Sequence, residues 1–248
     1  MLIMRNFKLT LQYDGTKYRG WQSQKNGENT IQNKLETLLS RLLEEDIEVT
    51  GAGRTDAGVH ARAMVCNFKS QTQMKEEELL SRIRGYLPHD IGAVSLEVVS
   101  DRFHSRLSAK AKTYKYRIWT SDNPCVFERR YVYKFSEPLD LKRMKEAAKL
   151  LEGKHDFTAF TTNKHMKKSA VRNVEKITFE ETENELVISF YGEGFLYNMV
   201  RILTGTLIEV GEGKKKPEDI PGIFESKVRA NAGFTAPAQG LILYDVDY

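Results

Sequence analysis

Phe7, Leu9, Leu11 and Tyr13 alternate with Lys8, Thr10, Gln12 and Asp14 at the start of the chain. A period of two predicts a strand with one buried face, ended at Asp14-Gly15. The next stretch, through Tyr18 and Trp21, is polar and aromatic and reads as a loop. Behind Thr30, a residue able to cap a helix, Ile31, Leu35, Leu38, Leu39, Leu42 and Leu43 fall on one helical stripe. Ile47 and Val49 open a short strand that runs into a glycine-rich loop, and residues 59–68 form the strand that leaves it. Residues 75–86 predict a helix with Glu76, Glu77 and Glu78 in its first turn, where the helix dipole favours acids, and Pro88 stops it. Residues 91–99 read as a further strand.

The second half repeats the pattern without repeating the sequence. Strands are expected at 113–119, extended by 131–135, at 174–179 and 185–191 as a hairpin, and at 241–246. Leu141, Met144, Ala148 and Leu151 mark a helix entered at Pro138 and left at Gly153. Residues 195–210 read as a second helix with Gly205 as a weak point, and 218–227 as a short third. The first half follows the order β-α-β-β-α-β, the split βαβ arrangement. The expected fold class is α+β: two ferredoxin-like halves, residues 1–105 and 106–248, sharing a mostly antiparallel sheet with a central cleft. The glycine loop then joins the second and third strands and sits at a sheet end.

Composition bounds the function. The 248 residues are 40% hydrophobic and 29% charged, with a net charge of +4 and a pI near 8.8. That balance is ordinary for a globular protein and mildly basic, compatible with a nucleic-acid partner. Two cysteines, Cys66 and Cys125, make no disulfide framework and suit a cytoplasmic protein. No apolar run approaches ~18 residues, so no membrane span is expected. No Cys/His cluster, His-Glu-x-x-His helix or Gly-x-Ser-x-Gly elbow occurs, so neither a metal site nor a nucleophilic serine is expected.

The densest chemistry lies in Gly51-Ala52-Gly53-Arg54-Thr55-Asp56-Ala57-Gly58-Val59-His60-Ala61. Two nucleotide-binding patterns nearly fit it and fail. Asp56 occupies the third glycine slot of a dinucleotide fingerprint, and Val59-His60 stand where a P-loop needs Lys and Ser/Thr. The loop presents an acid. Taken by spacing alone, Asp56 reads as a turn-former bonded to a nearby N–H, with Arg54 and His60 as an ordinary surface ion pair.

Gly53-Arg54-Thr55-Asp56-Ala57-Gly58-Val59-His60-Ala61 resembles the signature of the TruA family of transfer-RNA pseudouridine synthases. The resemblance continues in Tyr13-Asp14-Gly15-Thr16, Gly20-Trp21-Gln22, Lys112-Thr113-Tyr114-Lys115-Tyr116, Phe195-Leu196-Tyr197-Asn198-Met199-Val200-Arg201 and Gly240-Leu241-Ile242-Leu243, in the family's order. It implies isomerisation of uridine to pseudouridine without a cofactor, on a nucleotide flipped from its stem. Asp56 matches the family's catalytic aspartate, Tyr114 its active-site tyrosine and Arg201 its basic active-site residue. Leu241 resembles the hydrophobic residue that packs the bottom of such a pocket. Arg54 is expected either to fill the space left by the flipped base or to clamp a phosphate. For Tyr116 core packing is the preferred reading. On a helical wheel Arg201 falls opposite Phe195, Met199, Leu203, Leu207 and Val210, which by pattern makes it solvated, although Tyr197 and Ile208 flank it.

Backbone contacts to RNA are expected from clustered cations: Arg62, Lys110, Lys112, Lys115, Arg129-Arg130, Lys164, Lys167, Lys168, Arg172 and Lys214-Lys215-Lys216. Phe103-His104-Ser105-Arg106-Leu107 departs from the family's Phe-His-Ala-Arg-Phe, and residues 163–172 are richer in lysine than the family's usual segment. The resemblance implies a homodimer acting on uridines 38 to 40 of the anticodon stem-loop. The rival readings are a non-catalytic RNA-binding or chaperone module and a hydrolase that releases free base.

Overall fold

The computed structural model describes residues 3–24, 29–163 and 169–248. The chain divides into two compact units, residues 1–110 with 243–248, and residues 111–242.

The first unit starts with strand β1 (Arg5–Tyr13), whose alternation turns Phe7, Leu9, Leu11 and Tyr13 inward, as the period of two requires. Helix α1 (Ile31–Leu43) follows, with Thr30 Oγ1 accepting from the Asn33 N–H at 3.3 Å as its cap. Ile31, Leu35 and Leu39 form the buried stripe. Strands β2 (Thr50–Gly51) and β3 (His60–Ser70) flank the glycine loop. Helix α2 (Glu76–Tyr86) carries the three expected glutamates in its first turn, and β4 (Ile91–Val99) ends the set. The strand order β4-β1-β3 with β2 beside β3, antiparallel throughout, is the split βαβ arrangement read from the sequence. Phe7 and Phe68 stack across β1 and β3 with centroids 5.2 Å apart. Cys66 is buried in β3 as a packing residue.

The second unit holds β5 (Ala111–Trp119), the two-residue β6 (Tyr133–Lys134), helix α3 (Leu141–Leu151), β7 (Gly153–Asp156), the long hairpin β8 (Val171–Glu181) and β9 (Glu185–Gly192), then helices α4 (Met199–Gly211) and α5 (Asp219–Ser226). Strand β10 (Leu241–Asp247) closes the chain. The order β5-β9-β8-β7 is antiparallel, and the short β5–β6 pair is parallel. Both units are therefore α+β.

Several boundaries move, each for a local reason. Pro138 does not open α3; Asp140 does, its carboxylate accepting the Arg143 N–H at 3.1 Å. Gly153 is the first residue of β7, an unexpected strand because Lys154, His155 and Asp156 are polar. Helix α4 begins at Met199, not at residue 195. Gly205 is no weak point: a Cβ there would lie 2.0 Å from the Phe234 carbonyl oxygen, so the glycine is what lets residues 233–236 lie against the helix. Among the described residues no helix is long and apolar enough to cross a membrane.

Candidate active site

The glycine loop between β2 and β3 is held by the segment that follows β1. Trp21 donates its N–H to the Thr55 carbonyl at 3.0 Å, and the Tyr18 carbonyl accepts the Gly58 N–H at 3.3 Å. Within the loop the Val59 N–H returns to the Asp56 carbonyl at 3.1 Å. Two side chains complete the fastening. The Tyr13 hydroxyl bonds the buried Thr55 Oγ1 at 2.8 Å, and the Gly15 N–H donates to Nδ1 of the buried His60 at 3.0 Å. Asp14 Oδ1 stands 3.2 Å from Nδ1 and already accepts the Thr16 N–H and hydroxyl.

Gly20 explains how closely the two segments meet. Its φ is +93°, and a Cβ would fall 2.6 Å from the Thr55 oxygen and 3.1 Å from the Asp56 carbonyl carbon. Only glycine satisfies both the left-handed backbone and the contact. Tyr18 is fixed in turn by Asp90, whose Oδ1 accepts its hydroxyl at 2.6 Å. Burial, and after it the Asp90 hydrogen bond, push this phenol's pKa well up, so Tyr18 stays a neutral donor.

Asp56 is thus a half-buried acid between the exposed Arg54 and Ala57, on a backbone pinned before and after it. A fixed backbone of this kind is what a carboxylate acting as nucleophile or charge stabiliser needs. The sequence pointed to this loop. The part played by Tyr13, Gly15, Tyr18 and Gly20 in holding it went unread, because their partners lie 35 to 45 positions away in the chain.

The second unit carries Tyr114, Arg201 and Leu241. Tyr114 is buried on β5 and meets the edge of Phe195, with centroids 5.2 Å apart and rings at 82°. Tyr116 is fully buried, its hydroxyl donating to the Pro237 carbonyl at 2.7 Å, and burial raises its pKa against the opposing pull of Arg201. That matches its reading as a packing residue. Leu241 is the buried first residue of β10.

Arg201 departs from the wheel. Helix α4 is buried on almost every side, from Met199 and Val200 through Ile202 to Ile208, so its periodicity names no solvent face. Arg201 is half-buried, with Nε donating to the Ala236 carbonyl at 2.7 Å and Nη1 to Asn198 Oδ1 at 2.8 Å. The Ala236 N–H donates back to the Arg201 carbonyl at 3.1 Å.

The basic candidates separate. Arg54, Arg62, Lys110, Arg129 and Arg130 are exposed, and Arg62 lies over the Tyr244 ring at 5.4 Å. Lys112 is half-buried on β5, opposite Gly192. Arg172 turns Nη1 onto the carbonyls of Ser169 and Val171 at 2.9 and 2.6 Å. Lys115, Lys214 and Lys215 stand within 3.8, 2.6 and 3.5 Å of Glu180, Glu212 and Glu209. Lys164, Lys167 and Lys168 lie outside the described residues. Among the described residues no group of three or more His, Cys, Asp or Glu is placed to hold a metal ion.

A family model described as tRNA pseudouridine synthase matches residues 10–106 and 147–248. The chain is 47% identical over 245 residues to a tRNA pseudouridine synthase A of Bacillus sp. (strain KSM-64), covering 99% of this chain and all of that one. With the same coverage it is 45% identical to tRNA pseudouridine synthase A 2 of Bacillus anthracis and 45% identical to tRNA pseudouridine synthase A 1 of Clostridium tetani.

Proposed function

The chain belongs to the TruA family of tRNA pseudouridine synthases, and from that premise we propose which residues carry the isomerisation and where on the RNA it occurs. In the reaction the uracil N1–C1′ bond breaks, the base turns while bound, and C5 bonds to C1′. The proton leaves C5 and N1 gains one, so no electrons are exchanged with the surroundings. Asp56 is the carboxylate that attacks C1′ or stabilises the charge developing there. Carboxylates do this work in glycosyl chemistry generally. The observation that carries the assignment is the backbone around Asp56, pinned at Thr55 by Trp21, at Asp56 by Val59 and at Gly58 by Tyr18, with the Asp56 side chain left half-buried.

Tyr114 supplies an aromatic face to the base. Arg201 is the compensating cation, and Leu241 is an apolar floor. Arg54 enters the stem at the place the uridine leaves. Arg62, Lys110, Lys112, Lys167, Lys168 and Arg172 meet phosphates. The RNA target is the anticodon stem-loop of tRNA, at uridines 38 to 40, the active species is a homodimer, and the enzyme works in the cytoplasm. These finer assignments rest on the motif match and on family membership.

The deciding experiment is pseudouridine mapping on tRNA incubated with purified protein. Wild type is expected to convert uridine within positions 38 to 40. Asp56→Ala should form none while binding tRNA within about threefold of wild type. Activity surviving in Asp56→Ala removes the catalytic assignment. Loss of binding in that variant would make Asp56 a structural residue of the loop.

A further inference from the structure

Asn198 is the residue before the first turn of α4, and its backbone is left-handed, with φ 59° and ψ 3°. An ordinary helix cap has an extended backbone and a side chain that accepts one of the first free N–H groups. Asn198 does neither: its side chain makes no cap hydrogen bond. Both ends of its amide are spent elsewhere. Oδ1 accepts from Arg201 Nη1 at 2.8 Å, and Nδ2 donates to Thr162 Oγ1 at 2.8 Å. The neighbouring Thr161 Oγ1 donates to the Tyr197 carbonyl at 2.9 Å, so the turn that carries Asn198 is tied to residues 161 and 162 twice. Asparagine is among the few residues with a side chain that enter the left-handed region readily.

The consequence falls on the guanidinium. Arg201 Nε is held by the Ala236 carbonyl and Nη1 by Asn198. Two fixed nitrogens define the plane of a rigid fork, whereas one leaves it free to swing about the bond. Asn198 thus contributes one of the points that fix this plane.

We propose that Asn198, anchored by Thr162, is the positioning residue for Arg201 in pseudouridine formation. This rests on the reading of Arg201 as the compensating cation. Asn198 touches no reacting atom in this scheme. It fixes the direction in which Arg201 offers its charge, and a misplacement of about 1 Å at such a group costs on the order of a hundredfold in rate.

The test is a double-mutant cycle read by single-turnover pseudouridine formation, with tRNA affinity and melting temperature measured on every protein. Asn198→Gly keeps the left-handed backbone and removes both side-chain bonds. It should slow conversion about 10- to 100-fold while tRNA affinity stays within about threefold. Arg201→Lys keeps the charge and loses the two-point hold; it should cost about a hundredfold by the same logic. With Arg201→Lys already present, Asn198→Gly should cost less than about twofold more, because nothing remains for it to orient. Equal losses in both backgrounds would make Asn198 a purely structural residue and overturn the proposal, as would an Asn198→Gly enzyme of wild-type rate. Full activity in Arg201→Lys together with Arg201→Ala would instead remove the assignment of Arg201 itself. If Asn198→Gly does not fold, Thr162→Val takes its place in the cycle. It removes the anchor alone, and a conversion rate unchanged by it overturns the proposal.

Discussion

Thr55 shows how a single residue holds the candidate site. Its hydroxyl is buried against Tyr13 at 2.8 Å, and its carbonyl accepts from Trp21, so both polar groups flanking the Asp56 peptide are satisfied from one neighbouring segment. Tyr13→Phe leaves the Thr55 hydroxyl without this partner in a buried place. About 1–2 kcal/mol of stability should be lost, seen as a lower denaturation midpoint with an unchanged slope. Gly20→Ala is the harsher change. It demands φ near +93° of a residue with a Cβ and drives that Cβ to 2.6 Å from the Thr55 oxygen. The loss should be about 1–3 kcal/mol, and pseudouridine formation should fall more than tRNA affinity, because the displaced atoms adjoin Asp56. Wild-type turnover in Gly20→Ala would mean that the loop is not held from this side.

At the scale of elements, α4 and the segment after α5 are one device. Gly205 admits the Phe234 carbonyl, Thr206 Oγ1 accepts the Gly233 N–H at 2.9 Å, and Glu209 accepts the Phe234 N–H at 3.1 Å. Alanine is the better helix former by about 1 kcal/mol. Even so, Gly205→Ala should destabilise, by about 3 kcal/mol or more, because a backbone oxygen 2.0 Å away is no flexible neighbour. A melting temperature at or above wild type would contradict the close approach.

The same unit contains a pH-dependent pair. Asp156 at the end of β7 accepts from Lys227, the left-handed residue after α5, at 2.8 Å. The Lys227 hydrogen bond first, then that of Thr158, hold its carboxyl below the ordinary value of 3.8. A depressed carboxylate contributes stability that is present above its unfolded pKa and lost as pH falls through the lower folded value. Asp156→Asn should therefore lower the melting temperature at neutral pH, and the gap to wild type should close below about pH 4. The pair is partly exposed, so the effect should stay under about 1 kcal/mol. A gap that persists in acid would assign it to packing.

For the whole molecule, charge is the property that reaches the partner. The net charge of +4 is small, and several of the lysines lie close to glutamates, so an RNA interface must draw on the exposed arginines and lysines more than on the total. Affinity for tRNA should fall linearly on a log–log plot against salt, and Arg62→Ala should lower the slope by about one while weakening all tRNAs alike. A salt-independent affinity would mean that phosphates are not what these side chains meet. The chain also closes on itself. Tyr248 donates to the Ser105 carbonyl at 2.7 Å, packs 5.0 Å from Phe103, and lies under Lys8, so its last residue belongs to the first unit.

Local periodicity and motif order were enough to read most helices and strands, the split βαβ order, the family, and the loop that carries Asp56. These depend on neighbours within a few residues, or on residue types that a motif preserves. Three things were decided by tertiary structure alone. Arg201 was misread by its helical wheel because α4 is buried nearly all round, and a wheel assigns faces only when one of them meets water. Gly205 looked like a flaw in a helix until the Phe234 carbonyl occupied the space its missing side chain leaves. The fastening of Asp56 joins residues 13–21 to residues 55–60, and a hydrogen bond between positions so far apart leaves no period in the sequence from which it could be read.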